Sequence, residues 1–357
     1  MMACVLLFLL AAASAPAQVI STGTTLLRDD IPATIQQSHL RLAWPFAERF
    51  VSRTGYVYIF ADQEAFNGLP RLRPALHRLS QSLEASIPEW NLHVLGEGSL
   101  SRVHTERWFG DFRAAAAYRQ KLMLRRRGLP LTVSLRAEGG RARDLSVSTA
   151  IAEHVSPEYA ESQADFSLAD RLQLVGHVNR RWYRDGNRVD NVYAYALLHA
   201  VHSPRVSIGY AYAWSDSEFS TWSMTGSSFE PRGRTFSYEY FYYPYFSPLQ
   251  ERGHLFIGIL QWMITPSVLV HGKASIPFWS RGQLKYMPET GRTPVPIDYG
   301  VQYELDDILP TQYDAGLYVS LSSAISVDLS ISYFSKPYYE YVSGGLSLVY
   351  ALFPSGR

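Results

Sequence analysis

The chain has 357 residues, a formal net charge of +1 and one cysteine, which suffices for one large domain or two small ones. A balance so close to neutral offers no strongly basic field and excludes a nucleic-acid binder. Aromatics make up 14% of the residues, with 24 tyrosines, an enrichment that suits strands and membrane interfaces, where a ring with a polar tip sits between oil and water.

Residues 1–17 read as a secretory signal, with an apolar core over residues 5–13 and Ala15-Pro16-Ala17 as a small-x-small cleavage site before Gln18. No Lys or Arg precedes that core. Cys4 lies inside this signal segment, so the mature chain is expected to carry no thiol and to gain nothing from disulfides. Residues 18–54 are the least regular stretch and are expected to form a periplasmic lead-in. No later run approaches the ~18 consecutive apolar residues of a transmembrane helix; the longest, residues 254–264, is interrupted by Gly258 and Gln261. An exported chain of this kind is either a soluble β protein or an outer-membrane barrel.

From Gly55 onward a strand-and-turn rhythm sets in, and residues 55–353 are expected to form one barrel. Strands are expected over 56–61, 74–87, 92–104, 112–126 and 131–138, with turns at 88–91 and at Gly128-Leu129-Pro130. After an ambiguous stretch they resume at 162–168, 171–183, 189–201 and 205–214, and Asp185-Gly186 is a strong hairpin signal. Further strands are expected at 218–229, 235–246, 254–264 and 267–278, followed by a long insertion over 279–312. The last three are the plainest. Val327, Leu329, Ile331 and Tyr333 alternate with Asp328, Ser330 and Ser332, and Leu346, Leu348 and Tyr350 share one face of the final run.

The fold class this implies is all-β, an antiparallel transmembrane β-barrel of about 16 strands with short turns at one end and longer loops at the other. Runs of ten or more residues cross a bilayer on a tilt, whereas sandwich strands average ~5–6. One face of each run is oily and the other small or charged. Rings gather where strands meet their loops (Trp182, Trp214, Phe278) and again near the short turns (Trp90, Trp262, Tyr350). Phe353 falls out of phase with the final oily face, and residues 354–357 form a tail.

Nothing in the sequence sets up catalysis. Glu153, His154, Asp185 and Asp190 fall toward the outer loops, but no spacing places a nucleophile beside a base. The ten histidines show no metal-ligand spacing, so neither an enzyme nor a cofactor is expected. Charged side chains instead mark an inner face. Arg113, Arg119 and Lys121 recur on one run; Arg136, Arg171, Arg181, His271 and Lys273 project the same way on others, facing Glu84, Glu97, Glu138, Glu239, Asp314 and Asp328. In lipid each cation would cost ~2–4 kcal/mol near the midplane, so these groups are expected to line the interior. Two arrangements stay open: ion-pair networks that brace the barrel, or a basic-leaning pore wall that favours anionic or polyhydroxyl solutes.

The loop Tyr243-Pro244-Tyr245-Phe246-Ser247-Pro248 ahead of His254, and the ending Tyr338-Tyr339-Glu340-Tyr341 followed by Gly345-Leu346-Ser347-Leu348, resemble the barrel domains of exopolysaccharide export porins of the cellulose-secretion type. The resemblance spans most of residues 55–353. It implies a conduit in the bacterial outer membrane for an exported polysaccharide, with Tyr243 and Tyr245 stacking on sugars near the mouth. In that group the barrel follows a long array of helical repeats, which this sequence lacks. The implied partners are therefore outer-membrane lipid, a polysaccharide and a separate periplasmic scaffold protein. The alternative is a closed barrel with a structural, anchoring or adhesive role through its outer loops; an outer-membrane enzyme is the third reading.

Overall fold

Alternating side chains carry the backbone around a closed wall. The computed structural model describes residues 19–29, 33–47, 49–64, 71–103, 108–124, 128–143, 155–218, 223–224, 241–242, 248–284, 287–289, 292–295, 303–336 and 339–351. The wall has 16 antiparallel strands in sequence order. They are β1 (Val19–Asp29), β2 (Ala33–Ala47), β3 (Phe50–Gln63), β4 (Ala75–Ile87), β5 (Leu92–Val103), β6 (Phe109–Leu124), β7 (Leu129–Arg141) and β8 (Glu158–Leu168). The second half comprises β9 (Leu172–Trp182), β10 (Arg188–His202), β11 (Arg205–Ser217), β12 (Leu249–Thr265), β13 (Val268–Leu284), β14 (Thr311–Ser320), β15 (Ile325–Lys336) and β16 (Tyr339–Ala351). The short segment Tyr303–Asp306 pairs with the outer end of β13 and continues the line of β14. β1 pairs with β16 from Val19↔Ala351 to Asp29↔Tyr341, so the last strand closes on the first and every strand has two neighbours.

Strand lengths run from 10 residues in β14 to 17 in β12 and β13. At ~3.3 Å per residue even the shortest crosses a hydrocarbon layer when tilted. Connections at the end holding Val19 and Ala351 are short: 48–49, 88–91, 125–128, 169–171, 203–204, 266–267 and 321–324. At the other, outer end they include 64–74, 142–157, 218–248 and 285–310. No helix among the described residues is long and apolar enough to cross a membrane.

Two stretches differ from the sequence expectation. Residues 18–54 are not a lead-in: β1, β2 and the start of β3 are part of the wall. Their pattern misleads because each face is mixed, with Ile20, Leu26, Leu40 and Leu42 outward among polar side chains. Leu27 and Ile35 point into the barrel, where they pack with Ile59, Leu76 and Val103, while Thr22, Thr24 and Ser38 share the outward face with Leu346 and Leu348. Conversely, residues 218–229 and 235–246 supply no wall strand. β11 pairs directly with β12, from Arg205↔Gln261 to Ser215↔Glu251. Within those two stretches only Glu218, Ser223–Met224 and Phe241–Tyr242 are among the described residues, and the two short segments pair with each other. The count of strands survives because two expected strands drop out and two unexpected ones enter.

Over β13–β16 the outward face is apolar through its middle: Val270, Ala274 and Ile276, then Ala315 and Leu317, then Leu329 and Ile331, then Leu346 and Leu348. Ile331 and Leu346 are 56% and 53% exposed. In water that would be a heavy penalty; against hydrocarbon it is the stable arrangement.

Candidate functional site in the barrel interior

Because cross-strand partners share a face, the register decides which side chains meet inside. On the β3–β9 arc the inward positions carry charges whose sign changes as the arc proceeds. Arg53 pairs with Glu84. Glu97 takes Arg113 at 2.5 Å and Arg78 at 3.6 Å. Glu138 receives Arg136 at 2.5 Å, Arg113 at 3.6 Å and the Tyr159 hydroxyl at 2.7 Å. Next along, His177 lies 3.2 Å from Glu161, which also accepts from Asn179 at 3.4 Å. Arg113 therefore bridges Glu97 on one neighbouring strand and Glu138 on the other.

A glycine lies beside that bridge. Gly140 sits opposite Arg113, and a Cβ there would fall 2.2 Å from the Phe112 carbonyl oxygen and 2.9 Å from the Arg113 Cα. Its bare backbone lets β6 and β7 approach at the level of Arg113. The guanidinium-bearing side chains of Arg113 and Arg136 remain 38% and 49% exposed, while Glu138 is 8% exposed. The cations thus face a wet interior and the carboxylate lies behind them.

The β10–β12 arc is different in kind. Leu197, Ala211, Leu255 and Ile257 form an inward apolar cluster, flanked by Tyr193, Tyr195 and Ile259, with Tyr193 and Tyr195 in ring contact at 5.7 Å. The β14–β16 arc is lined by small and hydroxylated residues: Gly316, Ser330, Ser332, Ser343, Gly345 and Ser347. The interior therefore has a charged side, an oily aromatic side and a hydroxyl side.

At the outer end the interior narrows. Residues 307–310 leave the wall between Asp306 and Thr311 and turn inward, burying Ile308 and Leu309. Two bonds to Ser280 hold them: the Leu309 amide donates to its Oγ at 3.1 Å and the Asp307 amide to its carbonyl at 3.0 Å. Beside them Lys336 on β15 donates to Glu251 on β12 at 3.3 Å, with side-chain exposures of 9% and 3%. β13 and β14 stand between those two strands, so the pair spans a chord of the barrel. Gly282 gives it room, since a Cβ there would meet Ile308 at 2.7 Å and Glu251 at 3.0 Å.

Of the side chains singled out in the sequence, Arg113 and Arg136 sit in the charged ladder. Arg119 and Lys121 occupy the same inward face of β6 nearer the short turns. Arg181 faces inward near the outer end of β9, opposite Tyr159. Arg171 lies in the 169–171 turn rather than on a strand, at the inner rim. His271 faces inward against Gly316, and Lys273 is the cross-strand partner of Asp314. Glu239, Tyr243 and Tyr245 lie outside the described residues. Sequence reasoning missed Arg53, Arg78 and the Lys336–Glu251 pair. Arg53 was hidden by the lead-in reading, and Glu251 by a strand that begins earlier than its apolar run. Among the described residues no group of three His, Cys, Asp or Glu side chains is placed to hold a metal.

No protein-family model and no curated protein matches the chain. Among solved structures, a bacterial polysaccharide outer membrane secretin superposes with a TM-score of 0.60 at 12% identity, over 94% of this chain and 98% of that one. OccK1 (OpdK) from Pseudomonas aeruginosa gives 0.43 at 11% identity, covering 94% and 98%, and the CymD monoaromatic hydrocarbon channel gives 0.41 at 8%, covering 96% and 90%. The last two are too distant to carry an argument. The first shows the fold: this chain is a closed barrel of the outer-membrane type.

Proposed function

We propose that this protein is an outer-membrane channel whose cargo is a hydrophilic chain, in the first instance an exported polysaccharide. The observation that carries the reading is the Glu97–Arg113–Glu138–Arg136 ladder on the inner wall. Charges neutralised in pairs keep the wall hydrated without a strong field of either sign, which suits a neutral or weakly charged polyhydroxyl chain better than a simple ion. The tyrosine rings of β10 beside the charged arc and the serines of β15 and β16 across the interior offer sugar faces a stacking surface and sugar hydroxyls exchangeable partners. The fold shared with the secretin supports the reading. With it go residence in the bacterial outer membrane and, as part of the same proposal, delivery of the chain to the inner mouth by a periplasmic scaffold protein. Planar-bilayer recording tests the proposal. Conductance that soluble oligosaccharides reduce is expected; a protein that stays silent even after residues 307–310 are replaced by a shorter turn overturns it.

The inward turn at 307–310 and the buried Lys336–Glu251 pair favour a second reading, a barrel shut at its outer end that serves to anchor or adhere through its loops. Removing residues 285–302 separates the two. An adhesin loses surface binding, whereas a channel keeps or gains conductance.

A further inference from the structure

The outward face of β1–β4 is unlike that of β13–β16. At mid-height, where β13–β16 present only apolar side chains, β1–β4 set hydroxyls and amides among Leu26, Leu40, Leu79 and Leu83, with an imidazole nearer the outer end. Thr24 Oγ1 and Ser38 Oγ lie 3.1 Å apart, and the Thr54 hydroxyl donates to Gln81, whose amide donates to Ser52 at 2.6 Å. The Tyr56 hydroxyl meets His77 Nδ1 at 2.7 Å. These bonds satisfy part of the set. His77 keeps its other ring nitrogen, Gln81 a further amide proton, and Gln36, exposed on the same face, makes no side-chain hydrogen bond among the described residues. Polar groups left unpaired against hydrocarbon are costly, and inside a membrane the usual remedy is another protein surface.

We infer that this face is an interface, and that its occupant is a second copy of the chain related by a two-fold axis. Charge favours that occupant: the central part of the patch is uncharged, and Ser, Thr, Gln, Tyr and His each donate and accept, so the surface is complementary to itself. Size favours it too. Four strands at ~4.8 Å spacing over a band ~25 Å tall give roughly 500 Å² per copy, about 1,000 Å² for a pair, which is the scale a specific interface needs. The hydroxyls and amides on the outward faces of β1 and β2 follow from the same role, and Leu26 and Leu40 beside them add apolar contact.

Two independent experiments test this on the full-length protein. Native mass measurement in mild detergent and in lipid nanodiscs is expected to give twice the chain mass, and the combined Gln36→Leu, Ser38→Leu and Gln81→Leu variant to abolish that dimer while keeping the barrel. Separately, in a Cys4→Ser background, Ser38→Cys, Leu40→Cys and Thr54→Cys are each oxidised in whole membranes, with Ile331→Cys on the apolar wall as control. Cross-linked homodimers from at least one of the three and none from the control are expected. A monomer in both media without cross-links, equal cross-linking at Ile331, or a cross-link to a different protein overturns the inference, whether or not the leucine variant folds.

Discussion

Single residues carry unequal weight in this barrel, and burial decides which matter. The Lys336–Glu251 pair is withdrawn from water on both sides, so removing one partner strands a charge. Lys336→Met is expected to destabilise by about 3–5 kcal/mol, read from urea unfolding in lipid. Adding Glu251→Leu should recover most of that loss, because two apolar side chains leave nothing unpaired; a double variant as unstable as the single one contradicts the account. Gly140 is the backbone counterpart. With 2.2 Å between its would-be Cβ and the Phe112 carbonyl, Gly140→Ala must push β6 from β7, and a loss of about 1–3 kcal/mol is expected in the same assay. Exposed pairs behave otherwise. In the short turns, Glu89 is held below the ordinary glutamate value of 4.5 by its own backbone amide and then by Arg49. A depressed carboxylate stabilises above its unfolded pKa and ceases to as pH falls through the folded one. Glu89→Gln should therefore differ slightly from the parent at pH 7 and converge with it toward pH 3, as judged by urea midpoints.

At the scale of elements, the sharpest test concerns β1 and β2. If they are wall strands, deleting residues 19–47 exposes the edges of β3 and β16 to a medium that offers no hydrogen bonds. The heat-modifiable folded form on gels should then disappear; its survival would restore the lead-in reading. The same strands show what the sequence can and cannot convey. The hairpins of β14–β16 are legible because lipid outside and small polar groups inside write a period of two directly into residues 325–351. β1 and β2 are illegible by that rule, since Thr22, Thr24 and Ser38 lie where oil is expected and Leu27 and Ile35 where polarity is. The reverse error arose at 218–246, where aromatic runs imitate strands although β11 pairs past them to β12. Inward facing of Arg113 and Arg136 follows from parity alone. Their partners do not, because parity gives a face and only register gives a neighbour. The Lys336–Glu251 contact, 85 residues apart in sequence and across a chord, leaves no local trace at all.

At the scale of the whole molecule, the interior combines a wet, charge-paired middle with a narrowed outer end, and the two make separable predictions about current. If the paired ladder sets the field, the parent channel should discriminate weakly between potassium and chloride. Arg113→Gln with Arg136→Gln leaves Glu97 and Glu138 short of their nearest cations, so the reversal potential in a potassium chloride gradient should move toward cation selectivity. Glu97→Gln with Glu138→Gln frees Arg78, Arg113 and Arg136, and the shift should run the other way. Substitutions at the outer end act on magnitude instead. Lys336→Met with Glu251→Leu, combined with a shorter turn in place of residues 307–310, should raise conductance several-fold while leaving the reversal potential nearly where it was, because the ladder is untouched. A selectivity change from the outer-end variant, or none from the ladder variants, would mean that ions are sorted elsewhere on the wall, with the hydroxyl arc of β14–β16 and its Asp314 and Asp328 as the next place to look.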